Sequence, residues 1–198
     1  MKDIFVMRHG DTHATENGYF AGWSDIPLSE KGKRRIQTAK QTLNGIEFGK
    51  VYVSPLSRTL ETARMVIGED HHLYLHEAIK ERFFGNWEGK SWDGLEKEFP
   101  DEMREWKRDP LAFVPPQGES FSDVLRRVQI FWDHLTALDD EAYLVVTHAG
   151  IIRCLLVALT GMKFENGFHF LLEPGVIMHV KQDPAFTQIV SIVNHEDL

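Results

Sequence analysis

Three short apolar runs in this chain each end on charged or histidine-bearing residues, and this repetition restricts the fold more than any other feature. Ile4-Phe5-Val6-Met7 leads into Arg8-His9-Gly10, and Val51-Tyr52-Val53 leads into Ser54-Pro55-Leu56-Ser57-Arg58. Tyr143-Leu144-Val145-Val146 leads into Thr147-His148-Ala149-Gly150. Short runs rich in β-branched and aromatic residues read as buried strands. Open α/β sheets build their sites at the carboxyl ends of such strands. If the three are parallel neighbours, Arg8, His9, Arg58 and His148 meet at one edge.

The stretches between them carry helical signals. Ser29 is placed to cap a helix whose Ile36, Ala39 and Leu43 share a face. A second helix is predicted over residues 56 to 67, and a short strand over 73 to 75. Ser120-Phe121-Ser122-Asp123 resembles a capping box that opens a long helix with the stripe Val124, Val128, Phe131, Leu135 and Leu138. A further helix follows His148, and residues 176–180 and 188–193 read as a closing strand pair that adds an antiparallel edge. Alternation of this kind predicts an α/β protein, a three-layer α/β/α sandwich around a mostly parallel sheet.

One segment breaks the rhythm. Residues 77–117 contain Trp87, Trp92 and Trp106, and end in a loop with Pro110, Pro115 and Pro116. They are expected to form a cap-like insertion over the sheet edge, with short helices near 92–99 and 101–107. The expected organisation is one domain over 1–198 that includes this insertion, a size that suits one core.

Charge sets the class of partner. A formal net charge of -8 argues against nucleic acid or an anionic membrane, both of which reward broad basic surfaces. Paired arginines in an acidic chain suit a small anion instead. No apolar run approaches the ~20 residues of a spanning helix, and no secretory signal pattern is present. The lone cysteine, Cys154, sits in an apolar stretch and reads as a buried, inert thiol. A cytoplasmic protein is expected. A homodimer is left open.

Arg8 and Arg58 can each present a planar fork to two phosphate oxygens. His148 can add a donor, and the helix after it adds its positive end. Together they supply charge that a metal would otherwise bring, and no metal-ligand spacing or cofactor motif is evident among the histidines. His9 is the better nucleophile candidate, because a neutral imidazole is available near pH 7. Its other ring nitrogen needs a hydrogen bond, such as one to a backbone carbonyl, to fix the tautomer. A leaving alkoxide then needs a proton, and Glu81 is the first choice because aromatic neighbours suit a carboxyl that carries one. Glu88 and Asp11 remain rivals at this level.

Five segments in order resemble the histidine phosphatase superfamily, also called phosphoglycerate mutase-like. They are Arg8-His9-Gly10, residues 54–59, Glu81 with Gly85-Asn86-Trp87-Glu88-Gly89, Gly118-Glu119-Ser120, and Thr147-His148-Ala149-Gly150. The resemblance implies His9 as phospho-acceptor, Arg8, Arg58 and His148 as the phosphate pocket, and Glu81 as proton donor. It further implies metal independence, a small phosphate monoester as substrate, and an outer, structural role for Glu88. Gly22 and Ala149 are expected to border substrate. Thr15 stands where the family commonly has an asparagine that touches phosphate, and Asn17 is the fallback if the loop shifts.

Within the superfamily the chain looks most like α-ribazole phosphatases, through its compactness, residues 84–89 and the segment Asp109-Pro110-Leu111-Ala112-Phe113. These remove the 5′-phosphate of α-ribazole phosphate or adenosylcobalamin phosphate in cobalamin biosynthesis. Phe83, Trp87 and Trp92 would then offer a flat base an aromatic wall, unless they simply pack the insertion. Phosphoglycerate mutases share residues 20–25 but carry a paired-arginine grip on the substrate carboxylate. Here the adjacent Arg126 and Arg127 read as a solvated helix face. A broad small-molecule phosphatase, a mutase and a non-enzymatic phosphate-binding module are the alternatives. The module would need the arginines yet could dispense with His9 and Glu81.

Overall fold

The computed structural model describes residues 1–196. Six strands form one sheet: β1 (Lys2–Arg8), β2 (Lys50–Val53), β3 (Leu73–Leu75), β4 (Ala142–Thr147), β5 (Ile177–Asp183) and β6 (Phe186–Val193), in the order β3-β2-β4-β1-β5-β6. The first four of these positions are parallel, whereas β5 and β6 run antiparallel and close the edge. Among the described residues, seven α-helices accompany them: α1 (His13–Glu16), α2 (Glu30–Lys40), α3 (Ser57–Ile67), α4 (Trp92–Glu98), α5 (Pro100–Arg108), α6 (Phe121–Thr136) and α7 (Ala149–Thr160). The expected three-layer α/β/α architecture is what the chain adopts.

The layers follow from the two-residue period of a strand, which sends successive side chains to opposite faces. Ile4, Val6, Tyr143 and Val145 face α6 and α7 and meet Val124, Val128, Phe131, Ile151 and Leu155. Phe5, Met7, Leu144 and Val146 face the other way, onto Ile36 and Ala39 of α2 and Ala63 and Val66 of α3. Strands buried on both faces read as continuous apolar runs, which is the pattern the sequence shows.

Register places the site. Arg8 lies opposite Thr147 and Val53 opposite Val146, so β1, β2 and β4 end level with one another. The ladder continues beyond them, with His9 N donating to Thr147 O at 3.0 Å and Ser54 N to Val146 O at 3.0 Å. Arg8-His9, Ser54 and His148 therefore leave the sheet as held backbone and not as free loop.

Residues 77–117 build α4 and α5 and the 3-10 turns Glu77–Ile79 and Gly85–Trp87. They enclose a small core of their own from Trp87, Leu95, Met103 and Phe113. The stretch after β1, read as loop, contains the one-turn α1. Thr12 caps it, accepting from Thr15 N at 3.2 Å while Thr15 Oγ1 accepts from Thr12 N at 2.7 Å. His195 is buried between Thr42 Oγ1 at 2.8 Å and Gly175 O at 3.0 Å. Among the described residues, no helix is long and apolar enough to cross a membrane.

Candidate active site

The first residue off β1 is His9, a buried imidazole. Its Nδ1 lies 2.7 Å from Gly10 O. A carbonyl only accepts, so Nδ1 carries the proton and Nε2 keeps its lone pair. The loop is fixed from behind, because Gly10 N donates to Thr62 Oγ1 at 3.2 Å and that hydroxyl donates to Arg58 O at 2.7 Å. Thr62 thus joins the loop bearing His9 to α3.

His148, the first residue beyond β4, faces His9 ring to ring, with centroids 5.1 Å apart and planes at 65°. Its Nε2 lies 2.7 Å from Ser54 Oγ, and its Nδ1 is buried without a protein partner. Arg58 enters from the first turn of α3 and is almost fully buried. Three of its N–H groups are tied to carbonyls: Nη1 to Ser24 at 2.9 Å, and Nη2 to Gly22 at 2.7 Å and Ala21 at 3.2 Å. Arg8 donates from Nη1 to Leu172 O at 2.5 Å, and its Nε is buried with no partner.

Burial and like charge act together on the two imidazoles. Desolvation, then the Arg58 and Arg8 guanidinium groups, push the pKa of His9 well below the ordinary histidine value. Desolvation, Arg58, His9 and Arg8 do the same to His148. Arg8 itself is lowered to about 10 by burial, against the opposing pull of Glu81. Both rings are therefore neutral at physiological pH.

Depressed imidazole pKa values make stability pH-dependent. Below pH ~6.5 the unfolded chain binds protons that the folded chain refuses, so this contribution is complete above that pH and is lost as pH falls. Each such ring contributes a slope of at most about 1.4 kcal/mol per pH unit. Denaturant unfolding at pH 7.5 and 5.5 should show a larger acid loss for the wild type than for His148→Gln. Equal losses would mean that His148 is not held neutral.

The three carboxylates left open by the sequence separate clearly. Glu81 is buried beside this group, with Oε1 accepting from Arg82 N at 2.8 Å and Oε2 from Gly150 N at 3.1 Å. Gly150 permits this approach, because a Cβ there would fall 2.3 Å from Glu81 Oε1. Glu88 instead grips the loop that holds Arg58. It accepts from Trp23 N and Ser24 N, each at 2.7 Å, and from the Ser24 hydroxyl. Asp11 turns toward α2, where its Oδ2 meets Arg35 Nε at 2.7 Å.

Thr15 differs from expectation. Its hydroxyl donates to Thr12 O at 2.9 Å and accepts from Thr12 N, so the α1 cap already occupies it. Asn17 is exposed and donates to His13 O at 2.7 Å. Gly22 contributes its carbonyl to Arg58, and Ala149 opens α7 beside Gly150. Arg127 is not a solvated residue. It is half-buried, forks onto Glu119 at 2.8 and 2.9 Å, and donates to Ala78 O and Glu81 O.

Next to Glu81 and Gly150 opens a cavity of about 220 Å³ lined by Phe20, Phe84, Trp92, Trp106, Phe168 and Arg153, among others. Of the rings proposed as an aromatic wall, only Trp92 lines it. Trp87 is buried and stacks on Phe113 at 5.0 Å, and Phe83 packs on Trp23 at 4.8 Å. Sequence reasoning missed Phe20, Trp106, Phe168 and Arg153. Among the described residues, no group of three or more His, Cys, Asp or Glu is placed to hold a metal.

A model of the histidine phosphatase superfamily (branch 1) matches residues 4–195. The chain belongs to that superfamily. Among curated relatives of this histidine phosphatase is the adenosylcobalamin/α-ribazole phosphatase of Salmonella typhimurium, 33% identical over 174 residues and covering 87% of this chain and 86% of that one. A 2,3-bisphosphoglycerate-dependent phosphoglycerate mutase of Bartonella bacilliformis is 29% identical, covering 83% and 84%. Among solved structures, a putative α-ribazole-5′-P phosphatase from Escherichia coli superposes with a TM-score of 0.89 at 28% identity, over 98% and 96% of the two chains.

Proposed function

We propose that this histidine phosphatase hydrolyses a small phosphate monoester through a phosphohistidine on His9, and that its substrate is α-ribazole 5′-phosphate or adenosylcobalamin 5′-phosphate. The observation that carries the catalytic reading is the His9 tautomer: Nδ1 is committed to Gly10 O, so the lone pair on Nε2 faces a group of two arginines and a second histidine. Support for the substrate comes from the family relatives and from an aromatic cavity adjoining Glu81.

In this reading His9 Nε2 attacks phosphorus, the P–O bond to the alcohol breaks, and Glu81 passes a proton to the departing oxygen. Arg8, Arg58 and the unpartnered Nδ1 of His148 hold the phosphoryl oxygens as charge shifts across them. The N-terminus of α7 adds its positive end, with Ala149 bordering the substrate. Water then attacks the phosphohistidine, Glu81 takes back a proton, and phosphate leaves. Residues 77–117 act as a cap within one domain, walling the leaving-group side of the site.

Arg58→Ala should lower kcat/KM by roughly 10²-fold, on the order of 3 kcal/mol of transition-state stabilisation. Part of that loss arises because the Ala21, Gly22 and Ser24 carbonyls lose their anchor. Steady-state kinetics with a thermal-unfolding control measures it, and an unchanged kcat/KM would remove Arg58 from the pocket. Specificity constants for α-ribazole 5′-phosphate, 3-phosphoglycerate, fructose bisphosphates and generic monoesters test the substrate. A clear lead for the first is expected, whereas similar weak turnover of all would assign a broad phosphatase.

A further inference from the structure

We propose that Arg153 reads the leaving group, donating a hydrogen bond to an in-plane acceptor atom of a flat heteroaromatic base that sits in the aromatic cavity beside Glu81. This rests on the phosphatase reading above and adds to it the feature of the base that the enzyme selects.

The cavity walls form a continuous run of rings. Phe84 meets Phe20 at 5.0 Å, Phe20 meets Trp92 at 6.4 Å, Trp92 meets Trp106 at 5.1 Å, and Trp106 meets Phe168 at 6.2 Å. Faces and edges arranged in this way reward a planar π-system. At about 220 Å³ the space lies below the ~300–1,000 Å³ of drug-sized sites. A fused two-ring base suits it, and a macrocycle would have to remain outside.

Two guanidinium groups line this space, and they are held differently. Arg82 is fully buried, with Nε donating to Glu119 O at 2.6 Å and Nη2 to Phe113 O at 2.8 Å. Its Nη1 is buried without a protein partner, and with its other two nitrogens tied to backbone carbonyls Arg82 braces the wall. Arg153 is only half-buried. Its Nε donates to Gly167 O at 3.1 Å, and its guanidinium carbon lies 4.4 Å from the Phe168 ring centre. Among the described residues, its two terminal nitrogens make no hydrogen bond to protein.

Gly167 fixes the stem. A Cβ at that position would fall 2.6 Å from Arg153 Cγ, so only glycine lets the 3-10 turn Phe164–His169 press onto it. The guanidinium is thereby aimed by backbone and ring contact before any ligand arrives. Arginine carries donors only, so the atom it meets must offer a lone pair. A carboxylate is the poorer match here, because a charge seated among aromatic rings loses its hydration, which a neutral acceptor does not. A ring imine nitrogen lies in the plane of a stacked base and carries no charge. Where that lone pair is engaged elsewhere, as in coordination to a metal centre, the contact is lost.

The test compares benzimidazole riboside 5′-phosphate with indole riboside 5′-phosphate, in which C–H replaces the imine nitrogen. Wild type should favour the first by at least about tenfold in kcat/KM, since a site built to donate rejects an analogue that cannot accept. Arg153→Met should reduce that preference to within about threefold, and Arg153→Lys, which keeps a donor, should retain part of it. Thermal unfolding verifies each variant, and the wild-type pair decides alone if a variant does not fold. The inference is overturned if wild type treats the two esters equally, or if folded Arg153→Met keeps the full preference. It is also overturned if 3-phosphoglycerate is the preferred ester and loses that status in Arg153→Met, which would assign a carboxylate contact. Turnover of p-nitrophenyl phosphate without base preference sinks this inference alone. Failure to hydrolyse any ester sinks the phosphatase reading and this one with it.

Discussion

His9→Ala is expected to lower turnover of any phosphate monoester by roughly 10⁴-fold or more, because it removes the atom that bonds to phosphorus. The fold should survive. The imidazole makes one hydrogen bond, to the carbonyl of its own neighbour, and the loop is held independently by Thr62 and by the continued ladder to Thr147. Its removal also takes away a ring that sits desolvated between two guanidinium groups, where burial and charge already oppose protonation. Thermal unfolding should therefore show a midpoint close to the wild type while steady-state kinetics shows near-complete loss. A variant that retains a tenth of the wild-type rate would rule out covalent catalysis at this position.

Glu81→Gln should give a loss that depends on the alcohol being expelled. For an alkyl ester such as a nucleoside 5′-phosphate, a fall of roughly 10²- to 10⁴-fold in kcat is expected, the usual worth of a positioned proton donor. For p-nitrophenyl phosphate the first step should be much less affected, since that leaving group departs without a proton. The second step still needs Glu81 to activate water, so phosphoenzyme should accumulate with the activated ester. Glutamine keeps an oxygen to accept from Gly150 N or Arg82 N, and the backbone around the site should hold. Equal losses with both esters in the single-turnover rate of phosphoenzyme formation would instead assign Glu81 a purely structural role.

The sheet was readable in the sequence because its strands are buried on both faces. Ile4, Phe5, Val6 and Met7 are all apolar since two helical layers cover the strand. Each run therefore has a sharp end, and the residue after it is visible as the first one outside the core. Arg8, His9, Ser54 and His148 were legible for that reason, and only adjacency of the strands had to be supplied.

The aromatic cavity beside Glu81 was not legible. Phe20, Phe84, Trp92, Trp106, Arg153 and Phe168 come from separate segments with no common period. Nothing local distinguishes Trp92 at the cavity from Trp87 in the core beneath it. Arg127 lies on a helix whose apolar stripe pointed elsewhere, yet the turn carrying Glu119 folds over it and changes its surroundings. Thr15 is the opposite case, since Thr12 three residues earlier offered a local capping partner that occupies its hydroxyl.

The central claim is a bond between His9 and phosphorus. Rapid quenching of enzyme with p-nitrophenyl phosphate labelled in its phosphoryl group, followed by peptide mapping, measures it directly. Label that is stable to alkali and labile to acid should appear on the peptide containing His9 within one turnover, approach one equivalent per chain in Glu81→Gln, and be absent from His9→Ala. Full wild-type turnover with no label on that ring at any quench time would contradict the mechanism.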